Sequence, residues 1–189
     1  MQMERIETID ELRQALRLEG IHDIGQLESR FEEIAKSLFN HFAIRNGDNL
    51  YRFVEIEFYH SLTDKEDGAV ITYPRESAAG EWFMHDNGVD ITFKSDEGSF
   101  GGILIRSIKA DDREFINGPR NSMWEIFDRL DALSPAANCP VIVPSKNEIA
   151  ITPARSQRWN IKTSHREYRY SYPSVLWPRP NNYQAYPWK

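Results

Sequence analysis

The chain has 189 residues, with 23 Lys and Arg against 29 Asp and Glu, a net charge of −6 and a single cysteine, Cys139. A chain of this length can bury about two-thirds of its unfolded surface in one core without staples, and one cysteine excludes both an intramolecular disulfide and a cysteine-based metal cluster. No apolar run approaches the roughly 20 residues of a membrane helix, and the acidic start MQMERIETIDE has no hydrophobic leader region, so the expectation is a cytoplasmic protein without a membrane partner.

Apolar residues recur at helical spacing over residues 9–18 and again over residues 26–42, where Leu27, Phe31, Ile34, Ala35, Leu38 and Phe42 form one stripe and Asn46-Gly47 reads as a stop. From residue 50 the period changes to two. Strands are expected at about 50–60, 81–85, 89–94 and 101–108, with a long polar connection over 61–79 that contains Asp64-Lys65-Glu66-Asp67-Gly68. Asn117-Gly118-Pro119 breaks the chain before a helix expected over 122–133, capped by Asn121 or Ser122. Short strands near 141–143 and 148–152 read as a hairpin. A further strand over 155–158 precedes a proline-broken end that reads as an extended wrap. The sum is an α+β fold: a single compact domain with a curled, mostly antiparallel sheet. Residues 1–46 form a helical N-terminal layer, 47–152 the core, and 153–189 a tail packing on or near it.

Charge is unevenly distributed. Residues 151–189 carry seven Lys and Arg against one acid, Glu167, so the first 150 residues stand at −12. The same tail holds eight aromatics interleaved with basic residues. Cations neutralise phosphates and aromatic faces stack on unpaired bases, which makes Arg155, Arg158 and Arg166 candidates for a nucleic-acid contact. A cationic, aromatic tail can equally wrap the acidic body and bury its rings.

Chemistry concentrates in three islands, FVEIEFY, WFMHDNGVDITF and GGILIRSI. In the first, alternation places Val54, Ile56 and Phe58 on one strand face and Glu55, Glu57 and Tyr59 on the other. His85 and Asp90 flank the Asn87-Gly88 turn, and Arg106 ends the apolar run Ile103-Leu104-Ile105. Each island therefore delivers a polar group to a strand edge or end.

These islands, followed by NGPRNS, resemble in order and approximate spacing the motifs of the alkyladenine (3-methylpurine) DNA glycosylases over residues 53–122. The resemblance implies a compact mixed domain around a curled antiparallel sheet and an enzyme that needs no cofactor. It makes Glu57 the carboxylate that activates the attacking water, Arg106 the arginine that holds that water and carboxylate, and Tyr59 an aromatic that stacks on an extruded base. His60, His85 and Asp90 are candidates to contact the base. The chain departs from the family pattern in carrying Asn87 at the position of the intercalating tyrosine, Met84 at that of a second stacking aromatic, and Lys94 at that of the base-reading asparagine.

Three function classes stand against one another. The first is hydrolysis of an N-glycosidic bond, removing a modified purine from DNA or another nucleic acid as in base excision repair. The second is a non-catalytic module that binds nucleic acid or protein on the same scaffold. The third is Mg²⁺-dependent hydrolysis by Glu55, Glu57 and Asp90, for which no recognisable ligand spacing is present.

Overall fold

A computed structural model describes residues 6–68, 71–110, 115–128, 139–145, 150–159, 161 and 164–173. The chain runs α1 (Ile9–Ala15), α2 (Ile24–His41), β1 (Phe42–Asn46), β2 (Asn49–His60), α3 (Ser61–Glu66), β3 (Trp82–His85), β4 (Gly88–Thr92) and β5 (Gly101–Ala110). It continues through β6 (Phe115–Asn117), α4 (Pro119–Ile126), β7 (Val141–Pro144), β8 (Ala154–Ser156) and β9 (Arg169–Ser171). All strand pairs are antiparallel, in the order β3-β4-β5-β2-β1-β7, with β6 beside β5 and β9 joining β2 to β8. The result is the expected α+β domain: a curled antiparallel sheet with α2 on one face and the start of α4 against the other. Among the described residues no helix is long and apolar enough to cross a membrane.

Local chemistry explains where the helices begin. Thr8 and Glu11 form a reciprocal capping box on α1, and the Asp23 carboxylate accepts from the Gln26 amide at the start of α2. The stripe on α2 is buried as its spacing requires, with Leu27, Phe31, Ile34, Ala35 and Leu38 fully covered. Asn46-Gly47 does not stop a helix. α2 ends at His41, β1 follows without a gap, and Gly47 at φ 58° turns β1 into β2, so the segment 42–46 belongs to the sheet.

Four further expectations change. The connection 61–79 contains α3, whose N-cap is the His60 side chain. α4 begins at Pro119, three residues before the expected start, because the ring of proline presets φ at a position whose N–H has no helical partner; its N-cap Gly118 uses no side chain. The expected strand near 141–143 is present as β7, but its partner is β1 rather than the segment 148–152, which carries no strand in its described part. Finally, β2 does not alternate uniformly. The register with β5 shifts around Glu55, so Tyr51 and Phe53 share the core with Ile56 and Phe58, while Val54 is buried outside that cluster.

The described part of the tail is integral to the sheet. Glu55, Ile56 and Glu57 pair with Ser171, Tyr170 and Arg169, and Tyr168 and Tyr170 are buried in the core with Tyr172 packed against it. The tyrosines at 168, 170 and 172 face the core, while Arg169 is directed to the other face with Glu57. Residues 174–189 lie outside the described part.

Candidate active site

The sheet face turned away from α2 carries a row of mostly polar residues. Registers align Phe83, Asp90, Leu104, Glu57, Arg169 and Ser156 across six strands. Residues opposite one another in an antiparallel ladder share a face, and two strand spacings put the Glu57 and Asp90 backbones about 10 Å apart with Leu104 between them. Over this row lies a cavity of about 490 Å³. The loop 71–75, the start of α4 and the tail around Trp159 close it, and Tyr59, His85, Asp90 and Arg106 line it.

Glu57 does not itself line this cavity: it is fully buried behind the wall, bonded to the lining residues Tyr59 and Arg106. Its Oε2 accepts from the Tyr59 hydroxyl at 2.9 Å and from Arg106 Nη1 at 3.2 Å, and its Oε1 accepts from the Trp159 amide at 2.6 Å. A carboxylate offers about four acceptor sites, and these three donors fill all but one of them. Burial, and next the Glu57 charge, push the Tyr59 phenol far above its ordinary pKa, which keeps it a donor to that carboxylate. Arg106 also reaches Glu55 through Nε at 3.2 Å, and Arg169 stands 3.7 Å from Glu55. Two arginines thus offset two buried carboxylates.

A second polar unit sits across Leu104. Asp90 Oδ2 accepts from Arg75 Nη1 at 2.7 Å and Asp90 Oδ1 lies 3.1 Å from His85 Nε2. The Asn87 amide donates to His85 Nδ1 at 3.2 Å, so the ring hydrogen is on Nε2 and is given to Asp90. Tyr73 packs on His85 with centroids 4.8 Å apart, and the Asn87 side chain donates to the Tyr73 hydroxyl. Glycine is required beside this unit: a Cβ on Gly102 would stand 2.9 Å from the Ile91 carbonyl, 3.0 Å from Asp90 Cβ and 3.3 Å from Arg75 Nη1. Its missing side chain lets the guanidinium lie over the strand to reach Asp90.

The candidates from sequence therefore separate. Arg106, Tyr59, His85 and Asp90 line one cavity, and Glu57 is bonded to the first two from behind its wall. His60 does not. Its Nδ1 accepts from the Leu62 amide, its Nε2 meets the Ser99 hydroxyl at 3.2 Å, and its ring lies against Phe93 on the core side. Burial lowers its pKa to about 4. Its contribution is indirect: it caps α3, and Asp64 on that helix accepts from the Ile71 and Thr72 amides, which holds the loop that lines the cavity.

The three tail arginines are engaged within the chain. Arg155 meets Glu32 at 3.8 Å, Arg166 bonds Glu28 and Asp67, and the buried Arg158 lies 3.9 Å from Asp67, over the Tyr59 ring, and donates to the Phe58 carbonyl. This is the wrapping arrangement rather than a free cationic strip. Met84 is exposed away from the cavity, and Lys94 bonds the Ser95 carbonyl beside a different depression. Among the described residues no group of three acidic, histidine or cysteine side chains is placed to hold a metal.

Sequence reading did not single out Arg75, Tyr73, Thr72, Arg120 or Trp159 as site residues. The first three sit in the irregular 71–75 stretch, where periodicity carries no information. The alternation of Tyr168, Tyr170 and Tyr172 was the available sign that the tail adds a strand and so brings Trp159 over Glu57.

No known protein family matches the chain, and no solved structure does. The chain is 28% identical over 129 residues to "Uncharacterized protein L759" of Acanthamoeba polyphaga mimivirus, a match covering 55% of this chain and 59% of that protein. The chain thus spans about three-fifths of the length of this relative.

Proposed function

We propose that the protein hydrolyses an N-glycosidic bond to a purine-like base, in the manner of the glycosylases its motifs resemble, and that it does so in the cytoplasm. The observation carrying this reading is the buried Glu57 carboxylate, fixed by Arg106 and Tyr59, both of which line an aromatic-walled cavity.

The remaining Glu57 site accepts a proton from water, and that water's oxygen attacks the anomeric carbon as the carbon–nitrogen bond breaks. The bonding pair leaves on the base nitrogen, which gains a proton from solvent. The water's other hydrogen stays on the new anomeric hydroxyl. Anionic charge beside the sugar stabilises the oxocarbenium-like transition state. Arg106 keeps the carboxylate in place, Tyr59 offers a ring face, and Asp90, an acceptor held by Arg75 and His85, orients the N–H edge of a base.

A second reading, a binding module without turnover, is favoured by one observation: three donors already occupy Glu57, and it is fully buried. One assay separates the two. Single- and double-stranded oligonucleotides and free nucleosides carrying hypoxanthine, ethenoadenine or an alkylated purine are incubated with wild-type protein and with Glu57→Gln. Release of free base is followed by chromatography. The hydrolase reading expects release by wild type, lowered about 10²–10⁴-fold in the variant. Binding by both proteins with no release from any substrate would establish the module instead.

A further inference from the structure

The charges around the cavity are balanced everywhere but at one place. Arg75 is matched by Asp90, and Arg106 with Arg169 is matched by Glu55 and Glu57. Arg120, on the first turn of α4, also lines the cavity, is exposed, and has no carboxylate against it among the described residues. Its Nε donates to the Asp86 carbonyl, which fixes the base of the guanidinium, while both Nη groups have no partner among the described residues. A cation held at its root with a free fork at a cavity rim is suited to two oxygens of one anionic group.

The interior is suited to something uncharged and flat. Tyr59, Tyr73, His85 and Trp159 supply rings, and Thr72 lines the same cavity, its buried hydroxyl without a hydrogen-bond partner among the described residues. A buried hydroxyl without a partner is costly unless a ligand or water satisfies it. A volume of about 490 Å³ lies within the range of small-molecule sites.

We infer that the ligand of this cavity is a nucleotide read by its terminal 5′-phosphate, with Arg120 holding the phosphate and the aromatic walls holding the base. The inference starts from the glycosidic reading of the same cavity and narrows its substrate class. A base within a duplex is the disfavoured alternative. Duplex DNA presents one negative charge per roughly 1.7 Å and needs several cations to offset it. Here the chain is at −6, and Arg155, Arg158 and Arg166 are turned onto Glu32, Asp67 and Glu28. The residue beside the turn glycine is Asn87, whose side chain is tied to Tyr73 and provides no wedge.

The test titrates wild-type protein calorimetrically with AMP and IMP, with adenosine and inosine, and with a short oligonucleotide carrying the same base with or without a 5′-phosphate. Base release is followed in parallel. The monophosphates should bind about ten- to hundredfold more tightly than the nucleosides, and Arg120→Gln should remove that gap. Because Arg120 is exposed, the variant should keep the wild-type melting temperature. Equal binding by free monophosphate and by the phosphorylated oligonucleotide end would assign the phosphate to either source, and preference for the free form would assign it to a metabolite; both support phosphate reading. Equal affinity for nucleoside and monophosphate, a gap that survives Arg120→Gln, or tightest binding of an internal base in the unphosphorylated oligonucleotide would each overturn it. The two claims fail separately. Glu57-dependent base release without phosphate preference removes only the Arg120 claim, while Arg120-dependent monophosphate binding without base release removes only the hydrolase.

Discussion

The two faces of the sheet are buried to a similar degree by opposite means. Towards α2, Phe58, Phe93 and Phe31 stack with centroids 4.5–6.2 Å apart and Tyr168 meets Phe31 edge-on, a dry apolar layer. On the other face Glu55, Glu57 and Asp90 are each at most 2% exposed, held by Arg106, Arg169 and Arg75. The apolar layer is filled by matched shapes, whereas the charged layer keeps a cavity, because a fixed ion pair leaves acceptor sites and gaps that packed methyl groups do not. Stability is drawn mainly from the first face, and binding capacity from the second.

The largest stability effect should therefore come from the apolar side. Phe31 is fully buried and touches three other rings, so Phe31→Ala should cost about 3–5 kcal/mol in chemical denaturation. A loss well below that would mean that the helix layer is not what secures the sheet, and the contrast between faces would fail. Next in size is Arg75→Met, which leaves Asp90 with His85 alone and should cost about 3 kcal/mol, the low end for breaking a buried pair. The sharper measurement is the double change Arg75→Met with Asp90→Leu. An apolar replacement of both partners should recover most of the lost stability while abolishing ligand binding. If the double variant stays as unstable as the single one, the ion pair is a structural requirement of the fold rather than a feature kept for the site.

How far this division was legible in the sequence follows from the physics of each face. The stripe on α2 is a repeating pattern that places the apolar layer correctly, and alternation does the same for Ile56 and Phe58 of β2. The shared face of Glu57 and Tyr59 was readable from alternation, whereas their grouping with Arg106, His85 and Asp90 rested on the motif resemblance rather than on strand direction. Two features escaped for different reasons. The parity change around Glu55 is a bulge, invisible in composition, that shifts Val54 out of the core cluster. Arg75 and Trp159 reach the site by long-range closure, through Gly102 making room for a guanidinium and through the β2–β9 pairing. Neither is a local property of the residues concerned. His60 shows the complementary error: adjacent to Tyr59 in sequence, it points to the opposite face because successive strand residues do.

That opposite placement makes His60 a means of weakening the apolar face by pH alone. It is 1% exposed, beside Phe93, and burial lowers its pKa from the ordinary value near 6.5 to about 4. The folded state thus binds this proton less readily than the unfolded chain. The associated stability is fully present above the unfolded value, and it is lost as pH falls from about 6.5 through about 4. The loss should reach about 3 kcal/mol at the acid end. His60→Asn keeps an oxygen able to accept from the Leu62 amide, so α3 retains its cap while the titrating ring is gone. Melting temperature against pH for the two proteins isolates the effect: the variant should start slightly less stable at pH 7, having lost the ring contact with Phe93, and its curve should then fall less steeply down to about pH 4. Parallel curves would mean that His60 opens to solvent before it protonates. The acid sensitivity of the fold would then have to originate in the charged layer on the other side of the sheet.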